Sequence, residues 1–310
     1  MCAIFGVLDY KGSLDAAQRF RMVKVLGTAA EVRGTDATGI AFFRGDKLCI
    51  QKAPKPAHKM KYHIPVEARY IMGHTRMTTQ GTAERNRNNH PFSGKAGKQS
   101  FALAHNGVLH NDQLLRQEYL LPETAIETDS YIAVQLIEQQ RELSFSSLKE
   151  MAEVLDGAFT FTILDQDNNL YFVKGSNPLT IYHYPKLGLY LYASTEEILM
   201  DARKGLGLGR MRPKIIKPWP GDILRINRYG DQEYAQFNMF DPFSTWNMRQ
   251  SVSSFRPKHL SRPHTSRSEY IRMLKSVAGF YGYESCDIDA LLADGYTTED
   301  IEDMIYCERM

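Results

Sequence analysis

The sequence has 310 residues, of which 43% are hydrophobic and 24% charged, and its formal net charge is +2 at pH 7. This composition is typical of a soluble globular protein with room for one large domain and one small domain. The near-neutral charge gives no sign of a nucleic-acid or membrane partner, and no apolar run approaches the length of a membrane span. We expect neither partner.

The four cysteines, at positions 2, 49, 286 and 307, are too few for a disulfide scaffold and lack the close spacing of a zinc site. The nine histidines are scattered, without an HExxH or similar motif. The first residues lack the basic segment and long apolar stretch of a secretory signal. We therefore predict a cytoplasmic protein with no metal and no cofactor.

In the first third of the chain, apolar patterning predicts a buried strand over CAIFGVLDY and a helix over LDAAQRFRMVKVLGTAAEV. RGTDATG is a loop rich in Gly, Thr and Asp, and IAFFRGDKLCIQK predicts two strands joined by a Gly-Asp turn. ARYIMGHTR predicts another strand, which runs into a long polar stretch over residues 75–99.

Farther along, SFALAHNGVLHN predicts an apolar strand that is broken by Asn106-Gly107, and helices are expected over residues 111–121, 129–141 and 145–155. AFTFTILDQDNNLYFVKG is typical of a β-hairpin. LTIYHY, LGLYLYAS and GDILRINRYG predict further strands, with a helix over residues 196–202. Strands and helices do not alternate as in parallel βαβ units, so we predict an α+β fold of mainly antiparallel sheets with helices packed outside.

The composition changes near residue 241. Between Arg249 and Arg267 there are five Lys or Arg residues, several Ser and Pro, and no acidic residue, which is typical of a linker. Beyond it, apolar residues three or four apart predict short helices. We predict a main domain over residues 2–240, a linker over 241–267 and a small helical module over 268–310.

Cys2 follows the initiator methionine directly. Removal of Met1 would leave Cys2 at the N-terminus, with a thiol and a free α-amine on one residue. That amine has a pKa of roughly 8, so it can take the thiol proton near neutral pH and activate the nucleophile. The alternative is that Cys2 merely begins a buried strand, and position 2 alone favours that alternative.

Five segments change this balance: MCAIFGV, RGTDATG, GHTRMTTQGTAERNRNNHPF, AHNGVLHN and ETDSYIA. In this order they resemble the class II glutamine amidotransferase family, whose glutaminase domains use an N-terminal nucleophile. The resemblance spans about residues 2–230, where YASTEEIL and WPGDILRI also look like family elements. It implies the four-layer αββα sandwich of N-terminal-nucleophile hydrolases, here with a small C-terminal helical appendage.

Glutamine is a zwitterion, so its site needs a cation, an anion and a nucleophile at fixed distances. Arg76 is the natural partner for the α-carboxylate because its planar fork matches two carboxylate oxygens. Asp129 would hold the α-ammonium. The alternatives are a surface ion pair for Arg76 and a helix N-terminal carboxylate for Asp129. The resemblance favours binding of glutamine by both.

Asn106-Gly107 is by itself most often a turn. The resemblance implies that the amide of Asn106 and the backbone N–H of Gly107 stabilise the oxyanion that forms when Cys2 attacks. Cys2, Asn106 and Gly107 are thus the expected catalytic residues. Arg33 and Gly34 match a loop beside the nucleophile, and we interpret Arg33 as a structural anchor of the Cys2 end.

Thr79, Gln80 and Gly81 are expected to line the glutamine pocket. His90 matches a family histidine, and we interpret it as supporting because the α-amine already supplies the base. The glucosamine-synthase branch has Trp, Ala, Thr and His after the arginine, whereas this chain has MTTQ. That departure leaves glutamine binding intact but gives no support to sugar amination.

Three functions remain open. The first, which we favour, is a glutaminase that binds glutamine, forms a Cys2 γ-glutamyl thioester and passes ammonia to a separate synthase. About 70 residues follow residue 240, too few for a sugar isomerase or phosphoribosyltransferase domain, and no Walker-type phosphate loop is present. The second is a free-standing N-terminal-cysteine amidohydrolase acting on another γ-glutamyl or amide substrate. The third is an inactive binding or regulatory homologue.

Overall fold

The computed structural model describes residues 2–239, 271, 275, 284–293, 296 and 301. Contacts divide the chain into two units, Met1–Met248 and Arg249–Met310. The predicted linker over residues 241–267 and most of the predicted module over residues 268–310 lie outside the described residues, so these domain limits stay predictions. No helix in the described part of the chain is long and apolar enough to cross a membrane.

The described strands and helices are numbered here in chain order. The strands β1–β13 are Ala3–Asp9, Ala37–Arg44, Lys47–Ala53, Tyr70–Arg76, Phe92–Ala96, Gln99–Leu109, Gly157–Asp165, Leu170–Lys174, Thr180–Tyr184, Leu189–Ala193, Lys214–Ile216, Asp222–Ile226 and Gln232–Gln236. The helices α1–α6 are Ala16–Ala30, Asp112–Glu118, Tyr131–Gln140, Phe145–Glu153, Glu196–Gly205 and Ser285–Ala293. Of these, α6 lies in the second unit.

Within residues 2–239 the strands form two antiparallel sheets. The first has the order β11-β9-β10-β1-β4-β2-β3, and the second has the order β13-β12-β8-β7-β6-β5. Apolar residues of the two sheets, such as Ile4 and Phe172, pack together in one buried cluster. The sheets therefore lie face to face.

Helices cover the outer faces of both sheets. In β1, Phe5 and Val7 pack in a cluster with residues of α1 and α5, whereas Ile4 and Leu8 face the second sheet. Alternation of side chains with both faces buried explains the continuous apolar run of this strand. The outer face of the second sheet packs on α3 and α4. The predicted four-layer αββα sandwich is confirmed for this unit.

Two sequence expectations are wrong in detail. β6 is not broken at Asn106-Gly107 but pairs with β7 without interruption as far as Leu109. The polar stretch over residues 75–99 contains strand β5, which pairs with the start of β6. Its sequence, FSGKA, has little β propensity, so only pairing with β6 explains the strand. The short strands β11 and β13 were likewise not predicted.

The strand ends bring the site together. β1 begins at Ala3, directly after Cys2, and its antiparallel partner β4 ends at Arg76, with Ala3 opposite Thr75. β2 begins at Ala37, opposite Arg76. Cys2 and Arg76 therefore lie at the same end of two neighbouring inner strands of the first sheet. Asn106 lies on β6 of the facing sheet.

Candidate active site

The Cys2 side chain is partly buried. Its Sγ donates to the backbone oxygen of Met77 at 3.4 Å. Burial raises the pKa of this thiol, and the effect outweighs the lowering by the Met77 hydrogen bond. The thiol is therefore protonated at neutral pH and needs a base before it can act as a nucleophile.

Arg33 connects Cys2 with the facing sheet. Its Nε donates to the backbone oxygen of Cys2 at 2.8 Å, and its Nη2 lies 3.5 Å from Oδ1 of Asn106. Gly34 follows and passes very close to the end of β4, where a Cβ atom would lie 2.4 Å from the carbonyl carbon of Arg76. Both residues thus hold the loop before β2 against the nucleophile.

Arg76 is only 3% exposed, which excludes a surface ion pair. Its Nη1 donates to Oδ1 of Asn89 at 2.7 Å, and its Nη2 donates to the backbone oxygen of Gln80. Burial lowers the pKa of the guanidinium, but an arginine remains charged at neutral pH. Both acceptors are neutral groups. The site therefore contains a buried guanidinium cation whose charge these two hydrogen bonds do not balance.

Asp129 is the buried anion of the site, also 3% exposed. Its carboxylate accepts from the backbone N–H of Leu109 at 2.6 Å and from the hydroxyl of Ser130 at 3.2 Å. α3 begins only at Tyr131, so this carboxylate lies before the helix and contacts β6. The backbone N–H of Asp129 donates to Oε1 of Gln80 at 3.1 Å, which connects the Arg76 side of the site with the Asp129 side.

Asn106 holds an unused hydrogen-bond donor. The residue is 0% exposed, and its Nδ2 has no hydrogen-bond partner. An unsatisfied buried donor is costly and is therefore uncommon in a folded protein. The Asn106 side-chain amide is accordingly available to an acceptor that enters the site.

The Gly107 backbone N–H lies on an edge of β6 that has no strand partner among residues 2–239. β5 pairs with β6 only up to Leu103, whereas β7 pairs with it up to Leu109. N–H groups two residues apart in a strand point to the same side, and the Leu109 N–H donates to Asp129 rather than to β7. The Gly107 N–H therefore points to the same open side.

Position 107 also requires glycine. Its φ is +154°, and a Cβ atom would lie 1.9 Å from the carbonyl oxygen of Ala158 in the neighbouring strand β7. Any side chain here would displace β7 from β6. The close approach of the two strands explains why the Asn-Gly pair is part of a continuous strand.

One small cavity brings most of these groups together. It is lined by Cys2, Arg76, Met77, Thr79, Gln80, His90, His105, Gly107, Thr128, Asp129 and Ser130. Asn106, Arg33 and Gly34 contact residues of this lining, whereas Gly81 does not line the cavity and lies beside Asn88. The space open to solvent is about 10 Å³, enough for about one water molecule. A ligand larger than a water molecule can enter only after part of the wall moves.

A larger cavity of about 700 Å³ lies between the free edges of β3 and β5. Its lining includes Lys47, Lys95 and Glu138 but no cysteine. We assign the candidate active site to the smaller cavity because it alone of the two contains a nucleophile, a buried cation and a buried anion. Within the described residues, no group of three or more His, Cys, Asp or Glu side chains is arranged to hold a metal ion.

Three buried histidines lie at the cavity, of which the sequence analysis identified only His90: His90 and His105 line it, and His74 packs against His90. The His74 ring lies 4.2 Å from the His90 ring, and His74 Nε2 donates to the backbone oxygen of His105 at 2.9 Å. His105 Nδ1 donates to the hydroxyl of Ser130 at 2.8 Å, which in turn donates to Asp129. In the sequence, His74 and His105 are each the first polar residue after an apolar run, in YIMGHTR and FALAHNG.

Burial keeps these histidines neutral. It lowers the pKa of His74 to about 3 and that of His105 to about 4, and it lowers the pKa of His90 well below its usual value. Neither ring nitrogen of His90 has a hydrogen-bond partner. At neutral pH none of the three carries the proton that a general acid would have to donate.

Comparison with known proteins follows the same part of the chain. Residues 74–201 match the family described as a glutamine amidotransferase domain. The glutamine–fructose-6-phosphate aminotransferase (isomerizing) of Streptococcus pyogenes serotype M6 is 31% identical over 190 residues, which cover 58% of this chain and 30% of that protein. The enzyme of the same name from Listeria monocytogenes is 34% identical over 158 residues, or 49% of this chain and 26% of that protein.

The chain thus spans less than a third of the length of these curated relatives. Among solved structures, glutamine phosphoribosylpyrophosphate amidotransferase from B. subtilis, complexed with ADP and GMP, has a TM-score of 0.61 at 23% identity. The match covers 77% of this chain and 50% of that one. At this identity the likeness shows that the two share a fold.

Proposed function

We propose that this chain carries a class II glutamine amidotransferase domain and hydrolyses glutamine to glutamate and ammonia with Cys2 as the nucleophile, because residues 74–201 match a glutamine amidotransferase domain. The observation that carries the proposal is the content of one small cavity: a thiol, a buried cation and a buried anion. Asn106, whose side-chain amide has no partner, lies between His105 and Gly107 of the cavity lining in the chain.

Substrate binding begins with the charged head group of glutamine. Arg76 binds the α-carboxylate, for which it exchanges its contact with the backbone oxygen of Gln80. Asp129 binds the α-ammonium. Thr79 and Gln80 belong to the exposed part of the wall, and their movement opens the cavity. His90 is neutral and lines the cavity against His74, where it supports the pocket.

Thiol activation depends on the α-amine of Cys2. After removal of Met1, this amine takes the thiol proton through a water molecule, and the sulfur attacks the δ-carbon of glutamine. The raised pKa of the thiol makes a base necessary. The depressed pKa values of His74 and His105, about 3 and about 4, support the amine in this role because such weakly basic imidazoles cannot readily take a proton from the thiol.

The oxyanion of the tetrahedral intermediate is held by Nδ2 of Asn106 and the backbone N–H of Gly107. The protonated amine then gives its proton to the leaving nitrogen, so that ammonia departs and a γ-glutamyl thioester forms on Cys2. Water attacks the thioester, releases glutamate and restores the thiol. Arg33 keeps Cys2 and Asn106 in register throughout.

The released ammonia passes to a separate synthase. The protein itself is located in the cytoplasm. The relatives are aminotransferases more than three times as long as the matched region, which supports transfer of ammonia to a further synthase activity. A free Cys2 thiol supports a reducing compartment.

The test is replacement of the nucleophile. Cys2→Ala should abolish glutamate release, whereas Cys49→Ala, which removes another partly buried free cysteine, should leave it unchanged. Intact mass establishes whether Met1 has been removed from the active species. Glutamate release by Cys2→Ala at the wild-type rate, or full activity of a species that keeps Met1, contradicts the proposal.

A second candidate is hydrolysis of a larger γ-glutamyl amide. The buried Arg76 and Asp129 suit a free amino-acid head group in either case, so the leaving group decides. A higher kcat/KM for γ-glutamyl-p-nitroanilide than for glutamine would favour this candidate.

A further inference from the structure

Asn177 contacts the backbone of the candidate oxyanion site. It lies between β8 and β9, and its Nδ2 donates to the backbone oxygen of Asn106 at 2.8 Å. The same nitrogen lies 3.4 Å from the backbone oxygen of Ala158. A side-chain amide that faces two carbonyl oxygens must present its NH₂ group, since its own oxygen would be repelled.

The loop around Asn177 is held in place independently of that contact. The hydroxyl of Thr160 donates to the backbone oxygen of Asn177 at 2.7 Å, and the Asn177 N–H donates to the backbone oxygen of Phe159 at 3.4 Å. Pro178 follows directly, and a residue before proline is restricted to extended conformations. The Asn177 amide is therefore pre-organised against the backbone of β6.

The oxygen that Asn177 binds belongs to the same peptide unit as the Gly107 N–H. In a planar trans peptide the C=O and N–H point in opposite directions. A donor on the β7 side of this oxygen thus directs the Gly107 N–H to the open edge of β6. Hydrogen bonds in series polarise one another, so donation to the Asn106 oxygen also makes the Gly107 N–H a stronger donor.

We propose that Asn177 is a positioning residue that orients and polarises the Gly107 peptide for oxyanion stabilisation. The inference rests on the proposed glutaminase function. Asn177 acts through the backbone of β6, which makes its effect specific to the step in which negative charge forms on the substrate oxygen.

The test compares Asn177→Ala and Asn177→Asp in the full chain, with Ser176→Ala as a control at the exposed neighbouring position. Alanine removes the donor, and kcat for glutamine should fall about tenfold, less than the roughly 10²–10³-fold loss when an oxyanion donor itself is removed. Aspartate has the same shape but places a carboxylate against the Asn106 oxygen, so kcat should fall further. KM should stay within about twofold because the head-group site is unchanged.

Alkylation of Cys2 by iodoacetamide provides the second measurement, followed at the peptide level by mass spectrometry. This substitution at a CH₂ carbon forms no oxyanion, so its rate should be the same in wild type and both variants. The combination of a lower kcat, an order wild type > Ala > Asp and an unchanged alkylation rate supports the proposal.

Several results overturn it. Wild-type kcat in both variants, a change in KM alone, or an aspartate variant at least as active as the alanine variant would each do so, because a purely structural role tolerates the isosteric change better. A parallel fall in alkylation would show a general collapse of the site. Glutamate release that persists in Cys2→Ala, or is absent from wild type, overturns the proposed function and this inference together. If the Asn177 variants do not show the expected loss of kcat but glutamate release still depends on Cys2, only this inference is overturned and the proposed function is unaffected.

Discussion

Replacement of Asn106 by leucine separates the catalytic use of its side chain from its structural cost. Leucine has the same branched shape at Cγ, but it cannot donate a hydrogen bond. In the resting structure Nδ2 of Asn106 has no partner, and Oδ1 has only a long 3.5 Å contact with Arg33. The substitution therefore removes little that stabilises the fold and a donor that the reaction needs.

The two magnitudes follow from this difference. Loss of one preorganised oxyanion donor costs about 10²–10³ in kcat, or about 3–4 kcal/mol of transition-state stabilisation. A buried donor without a partner costs the fold about 1–3 kcal/mol, and its removal offsets the lost contact with Arg33. We expect the free energy of unfolding of Asn106→Leu to stay within about 1 kcal/mol of wild type.

Steady-state glutamate release and urea unfolding of the same preparations measure both quantities. KM for glutamine should change little, because Arg76 and Asp129 remain. A kcat within tenfold of wild type would show that Asn106 is not an oxyanion donor. A loss of more than about 3 kcal/mol in the free energy of unfolding would show that Nδ2 is satisfied in the folded protein.

Three further outcomes concern stability. Gly107→Ala should lower the free energy of unfolding by about 2 kcal/mol or more, because the new Cβ would lie 1.9 Å from a carbonyl oxygen; an unchanged Tm would contradict this. His74 and His105 stay neutral in the fold, with pKa values of about 3 and about 4. Below pH 6.5 these two histidines therefore bind protons in the unfolded chain but not in the folded chain. The free energy of unfolding should fall towards pH 4 by up to about 1.4 kcal/mol per pH unit for each histidine. Urea unfolding curves that coincide at pH 7 and pH 5 would refute it. Arg19→Met leaves the buried carboxylate of Asp9 without its cation and should cost about 3–5 kcal/mol in thermal or urea unfolding, whereas a cost below 1 kcal/mol would show that the backbone donors to Asp9 suffice.

Strands with long apolar runs were predicted well from the sequence. β1, β7 and β8 are buried on both faces, and this requirement marks the sequence strongly. The edge strands β5, β11 and β13 carry no such signal. They exist because a neighbouring strand offers its backbone groups, which is information that a local stretch of sequence does not contain.

The residues of the candidate site also differ in whether the local sequence could predict them. Cys2, Arg76 and Asp129 were predicted because their charge or nucleophilicity matches glutamine and their segments match a known order. Two further residues were not predicted from the sequence. These are Asn89, which binds Arg76, and Asn177, which binds the Asn106 backbone. Asn177 is separated from its partner by 71 residues, and only the packing of a loop against β6 brings the two together.

The late start of β5, at Phe92, has a consequence for how this protein could change. Had β5 begun at Asn88, its pairing with β6 would have reached Gly107, and the added residues would have bonded the backbone N–H that now faces the open side. A more complete sheet would thus be a poorer catalyst. Insertions or deletions between residues 81 and 91 would therefore be constrained by the chemistry as much as by folding.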